Sequence, residues 1–166
     1  MSKKSVKIEN KKYFKLPKKF AEKWIAELRS GNYTQHEGSL VKSNKDDLGW
    51  GDEDLEVDFK CACCLGVAAV MLAGEDKKLV EADVPRELGS YLRNLKYPEE
   101  LIQENSDFDS LDNILSSLND GYQHNSFILQ KRKKKYPNIK FKEEEGTNQY
   151  SFNEIADFIE EYVEFY

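Results

Sequence analysis

Three cysteines stand in one short run, Cys61-Ala62-Cys63-Cys64, and they are the first residues in this chain whose type and spacing could do chemistry. A thiol in the first turn of a helix faces the positive end of the macrodipole, which favours thiolate and so nucleophilic reactivity. Such a nucleophile wants a base, and the chain has only His36 and His124 to offer. A zinc site built from Cys61, Cys63 or Cys64 and His36 is a second possibility. However, C-x-C-C is not a usual zinc spacing and a fourth ligand has no obvious source, so no metal is expected. The plainest reading makes them small core residues, since cysteine is among the most buried types.

A second candidate is Arg29-Ser30-Gly31-Asn32-Tyr33-Thr34-Gln35. Alternation in an extended segment puts Tyr33 and Gln35 on one face. Arg29, Tyr33 and Gln35 would then line a cleft with Cys63 and Cys64, where the backbone N–H groups of a helix start attract phosphate or carboxylate. The architectural alternative has Arg29 capping its own helix, with Tyr33 and Gln35 hydrogen-bonding buried backbone between elements.

Two charged runs complete the candidates. Residues 46–58 carry seven carboxylates and no base, among them Asp52, Glu53 and Asp54. The run lacks the register of a calcium loop and reads as an exposed acidic loop that either mimics a nucleic-acid surface or contacts a basic partner. Lys131-Arg132-Lys133-Lys134-Lys135 is a basic cluster, with Lys133 and Lys134 at its centre. Clusters of this kind can bind nucleic-acid phosphates, and Tyr136 could stack on a base. Yet the net charge is −6 and no nucleic-acid motif accompanies the cluster, so a solvated tip is preferred and nucleic acid is not an expected partner. The sequence has no phosphate-binding glycine loop, H-E-x-x-H or nucleophile elbow, and no cofactor is implied.

These groups need elements to position them. Phe20, Trp24 and Leu28, with Ala21 and Ile25, make one apolar face that predicts a helix over 17–30, closed by Gly31. Further helices are expected around 63–73, 84–96, 110–119 and 152–164. The last is launched by Ser151-Phe152-Asn153-Glu154, a capping box. Extended pieces are expected at 33–36 and 39–42, joined by a Glu37-Gly38 turn, and at 57–59. Another pair at 126–130 and 138–142 would form a hairpin with a basic tip. The expected fold is α+β: one compact, mostly helical domain of about five helices with a small antiparallel sheet. A basic arm, residues 1–16, would precede the globular part, 17–166.

Composition agrees. With 166 residues, 39% hydrophobic and 34% charged, the chain can bury one core under a heavily charged surface. The longest apolar run, Cys61 to Ala73, falls short of the roughly 20 residues that span a bilayer. The clustered cysteines do not resemble a secreted disulfide framework, so a reducing cytoplasm is the expected compartment.

Several segments, taken together, resemble a family of small uncharacterised phage and prophage proteins. Trp24-Ile25-Ala26-Glu27-Leu28-Arg29-Ser30-Gly31-Asn32-Tyr33-Thr34-Gln35 is similar to its W-x-x-A-L-R-S-G-x-Y-x-Q, and Cys63-Cys64-Leu65-Gly66-Val67 to its C-C-L-G-V. Val84-Pro85-Arg86-Glu87-Leu88 with Tyr91-Leu92 resembles L-P-x-x-V-x-x-W-L. Leu118-Asn119-Asp120 and Ser151–Glu160 resemble the closing L-N-D…S-F-x-x-I-A-D-x-I-E. The chain departs from that pattern by insertions at about 43–58 and 121–150. The resemblance implies a phage-type accessory protein in the host cytoplasm. Its expected role is non-enzymatic: it would modulate host processes, host defence among them, by binding a host protein. The alternative is a sponge for a small anionic, nucleotide-like ligand at Arg29, Tyr33, Gln35 and the start of the Cys64 helix. A thiol-dependent enzyme is third.

Overall fold

The computed structural model describes residues 12, 14–44, 55–81, 84–92, 111–121, 134–138 and 149–166. Within them the chain runs β1 (Phe14–Leu16), α1 (Lys18–Arg29), β2 (Thr34–Gln35), β3 (Val41–Ser43), β4 (Val57–Ala62) and α2 (Cys64–Ala73). A 3-10 turn (Lys77–Glu81) follows, then α3 (Arg86–Leu92), α4 (Leu111–Asp120), α5 (Phe152–Tyr162) and β5 (Val163–Phe165). The α+β class stands, with five helices among the described residues.

At the centre lies α2, whose first six residues, Cys64 to Ala69, are all buried. A helix apolar on every side must be enclosed, and α1, α3 and α4 pack around this one. The stripe foreseen on α1 supplies the contact: Phe20, Ala21, Trp24, Ile25 and Leu28 are buried. The Trp24 indole N–H donates to the Cys64 carbonyl at 3.0 Å, so the ring's one polar atom is satisfied inside the core. The C-terminal helix α5 packs on both α1 and α4. Its capping box is complete, Ser151 accepting from the Glu154 N–H while the Glu154 carboxylate accepts from Ser151.

The strands depart from expectation in three ways. First, β2 and β3 do not form a hairpin with each other. The strand β4 lies between them, parallel to β2 and antiparallel to β3, so the sheet is mixed. Secondly, the core begins inside the segment read as a basic arm. Phe14 and Leu16 are buried in β1, which pairs in parallel with β5. The end of the helix expected over 152–164 is accordingly extended from Val163 onward. Three-residue strands are too short for alternation to announce them. Thirdly, Lys134 and Lys135 are helical and residues 137–138 form a turn, where the tip of a hairpin and the start of its second strand were expected. The rest of that proposed hairpin, Asp52, Glu53, Asp54 and Lys133 lie outside the described residues.

Candidate functional site

The polar groups singled out by sequence separate into three places. One is a buried junction where the end of β2, the start of α2, the end of α4 and the approach to α5 meet. Its centre is Asn119, the one buried polar residue among those described, fully enclosed near the end of α4. The amide oxygen accepts from the Gln35 side chain and from the Cys64 N–H, both at 3.1 Å. The amide nitrogen donates to the His36 carbonyl at 2.7 Å and to Asp120 at 2.8 Å. Gln35 also donates to the Tyr150 carbonyl at 2.8 Å. Asn119 thereby ties β2 and α2 to α4, and Gln35 extends the link to the loop before α5, in a setting where each lost partner is costly.

Cys63 and Cys64 belong to the same junction. Cys63 is the N-cap of α2, its sulfur accepting from the Gly66 N–H at 3.3 Å. The Cys64 thiol donates to the Leu115 carbonyl at 3.5 Å. With Asn119 on the Cys64 N–H and Cys63 on the Gly66 N–H, donors of this helix start are engaged within the chain. Burial pushes the Cys63 thiol up to about 11, and backbone hydrogen bonds offset only part of that. Burial pushes the fully enclosed Cys64 thiol up as well, helped by the neighbouring Cys63. The helix-dipole activation considered from sequence is thus outweighed by desolvation.

A consequence can be measured. Against an ordinary value of 9.0, Cys63 holds about a hundredfold less thiolate at neutral pH. Half-buried Cys61 should therefore take up a thiol reagent first, with Cys63 and Cys64 labelling only as the protein unfolds. The sign of the pH dependence also follows. The unfolded thiols ionise from about pH 9 and the folded ones only higher, so the unfolded chain sheds protons first. Stability should be level with respect to these groups below pH 9 and fall as pH rises from 9 towards 11. Rapid labelling of Cys63 in the folded protein would contradict this account.

Arg29 is not at this junction. It lies at the end of α1 and reaches α5, where its two terminal nitrogens donate to the two carboxylate oxygens of Glu160 at 2.8 and 2.7 Å. One of them also donates to Asp157 at 2.6 Å. The hydrogen bond to Glu160 raises the guanidinium's pKa against the cost of desolvation, and the bond to Asp157 and both carboxylate charges raise it further. Asp157 takes two further donors, the Tyr136 hydroxyl at 2.6 Å and the Lys135 ammonium at 3.0 Å. Partial burial opposes ionisation, but the hydrogen bonds from Tyr136, Lys135 and Arg29 prevail and hold this carboxyl down to about 2.

Tyr33 goes a third way, its ring lying under the Lys60 ammonium at 4.8 Å. The structure therefore brings Gln35, Cys63 and Cys64 together around Asn119 and sends Arg29 and Tyr33 elsewhere, which differs from the cleft anticipated for all five. Sequence reasoning met Asn119 only within the Leu118-Asn119-Asp120 motif and missed the hub. It also passed over Ser39, whose hydroxyl lies 3.0 Å from His36 Nε2. Lys134 is exposed. Among the described residues no group of three or more His, Cys, Asp or Glu side chains is placed to hold a metal ion, and no helix is long and apolar enough to cross a membrane. Comparison of the chain with protein-family models, with curated proteins and with solved structures finds no match.

Proposed function

We propose that this chain is a non-enzymatic accessory protein of the phage type its motifs resemble, which modulates a host process, with host defence foremost, by binding a host protein. The observation that carries this reading is the engagement of its chemically capable groups in joining elements. Arg29 is bound bidentately to Glu160, Gln35 spans Asn119 and Tyr150, and Cys63 caps α2. A guanidinium already paired with a carboxylate would have to give up charge-assisted bonds to receive a ligand. What remains for recognition is charge carried in the sequence: the acidic run 46–58, with Asp52, Glu53 and Asp54, and the basic cluster that includes Lys133 and Lys134. Charge complementarity of this kind steers encounter and selects partners.

The competing reading, a small anionic ligand, makes an opposite forecast. A ligand that binds only the folded state adds about 2.7 kcal/mol of stability when present at a hundredfold its Kd. A thermal-shift screen of nucleotides and cyclic nucleotides should leave the melting temperature of this protein unchanged. A rise of several degrees that Arg29→Lys weakens would overturn the protein-partner reading. On the positive side, cross-linking in a host extract should yield a defined host protein, and deleting residues 46–54, short of Leu55 and Glu56 which contact Lys77 and Asn44, should abolish that yield at a nearly unchanged melting temperature. Retained capture after the deletion would move the interface to residues 121–150.

A further inference from the structure

Lys134, Lys135, Pro137 and Asn138 are exposed, and Tyr136 between them is half-buried. A segment with so little apolar burial draws its hold from hydrogen bonds and charge. Both lead to one atom of α5. Asp157 Oδ2 accepts from the Tyr136 hydroxyl at 2.6 Å and lies 3.0 Å from the Lys135 ammonium. That ammonium is also 5.5 Å from the centre of the Tyr136 ring, so ammonium and phenol approach the carboxylate as one unit. The other oxygen, Oδ1, accepts from Arg29 at 2.6 Å. Yet the tie between α1 and α5 does not depend on Asp157, because the two terminal nitrogens of Arg29 already bind both oxygens of Glu160. Helix docking and the hold on residues 134–136 therefore hang on different carboxylates, three residues apart.

We propose that residues 134–136 are a strap, pinned to α5 by Asp157, that opens as a local unit while α1 and α5 stay docked through Glu160. The bond from the Tyr136 hydroxyl to a carboxylate is short and charge-assisted, which makes the closed strap the resting state. Ionic strength governs its opening. The Lys135 and Asp157 side chains are 46% and 30% exposed, so dissolved salt screens their attraction. Opening frees an ammonium and a phenol together and leaves Asp157 to Arg29 alone. It needs no partner, so the strap stands or falls apart from the binding role proposed above.

Trypsin cleavage between Lys135 and Tyr136, followed by mass spectrometry on the full chain, reads the open fraction, since Lys135 must leave Asp157 to enter the protease. Each rate is normalised to the same bond in a free peptide, which cancels the response of trypsin itself to salt. At low salt Asp157→Asn should be cut about tenfold faster than wild type, with a melting temperature lower by no more than a few degrees. Tyr136→Phe should be cut about threefold faster, and Glu160→Gln should stay near the wild-type rate. Raising sodium chloride to about 0.5 M should speed cleavage of wild type several-fold and leave Asp157→Asn unchanged. If Asp157→Asn folds poorly, Tyr136→Phe decides, because it loosens the strap and leaves Arg29 with both carboxylates. Equal acceleration in Glu160→Gln and Asp157→Asn would reduce the effect to general surface charge and overturn the strap. Wild-type cleavage as fast as in the free peptide would do the same, and so would a wild-type rate indifferent to salt.

Discussion

Replacing Gly66 by Ala should destabilise the fold severely, with a loss of about 3–5 kcal/mol in urea unfolding and a fall of about 10 °C or more in melting temperature. Gly66 lies in the first turn of α2, where this helix meets the segment leading into β3. The Leu40 carbonyl accepts the Cys63 N–H at 3.0 Å and so lies directly over the helix start. A Cβ at position 66 would sit 1.7 Å from that oxygen and 2.6 Å from its carbon. Both atoms are backbone, so no rotamer change relieves the overlap. Either the helix withdraws and the Cys63–Leu40 bond breaks, or β3 shifts away from β4. Gly89, within α3, gives the internal comparison: apart from its chain neighbours and its own helix backbone, no atom of the described residues lies within 4 Å of where its Cβ would be. Gly89→Ala should be neutral or stabilising by up to about 1 kcal/mol, as expected when Ala replaces Gly in a helix without a clash. Similar behaviour of the two variants would contradict the close approach at Gly66.

What could be read from the sequence was local in origin. The α1 stripe from Phe20 to Leu28 and the capping box at Ser151 are set by residues three or four apart, and both appear as expected. The positive-φ glycines after α1 and α2, Gly31 and Gly74, are local in the same sense. The site was less legible because its bonds are long-range. Arg29 finds Asp157 and Glu160 across 128 and 131 residues, and Asn119 finds Gln35 across 84. Nothing near Arg29 distinguishes a guanidinium awaiting a ligand from one paired with another helix. A hint did exist: Asp157 and Glu160 are three residues apart, which puts both carboxylates on one face of α5 beside its apolar stripe. The parallel pairing of β2 with β4 was hidden for a similar reason. Thr34 pairs with Cys61 across a stretch that includes all of β3, whereas a turn such as Glu37-Gly38 suggests a hairpin between its immediate neighbours.

Asn119→Ala should cost about 4 kcal/mol, nearly as much as the glycine change, although it removes no apolar contact of note. The estimate comes from what would be left behind. Loss of the amide deprives the Cys64 N–H, the Gln35 side chain and the His36 carbonyl of partners at 3.1, 3.1 and 2.7 Å. A buried polar group left without a partner costs about 1–3 kcal/mol. Gln35 is half-buried and keeps its bond to the Tyr150 carbonyl, so its share is at the low end, while the Cys64 N–H stands deep in the core. Asn119→Asp separates geometry from chemistry. It preserves the shape and the acceptor for Cys64 and Gln35, but loses the donor to His36 and sets a carboxylate beside Asp120 in a fully enclosed site. The introduced carboxyl would therefore be driven towards its protonated form. Stability of Asn119→Asp should improve as pH is lowered from neutral towards 5, whereas Asn119→Ala should show no such gain over that range relative to wild type. By contrast Asp120→Asn, at the half-buried edge of the cluster, should change stability by less than about 1 kcal/mol. If Asn119→Ala proved as mild as Asp120→Asn, the junction could not be what joins β2, α2 and α4. Gln35, Cys63 and Cys64 would then again be candidates for contact with a ligand.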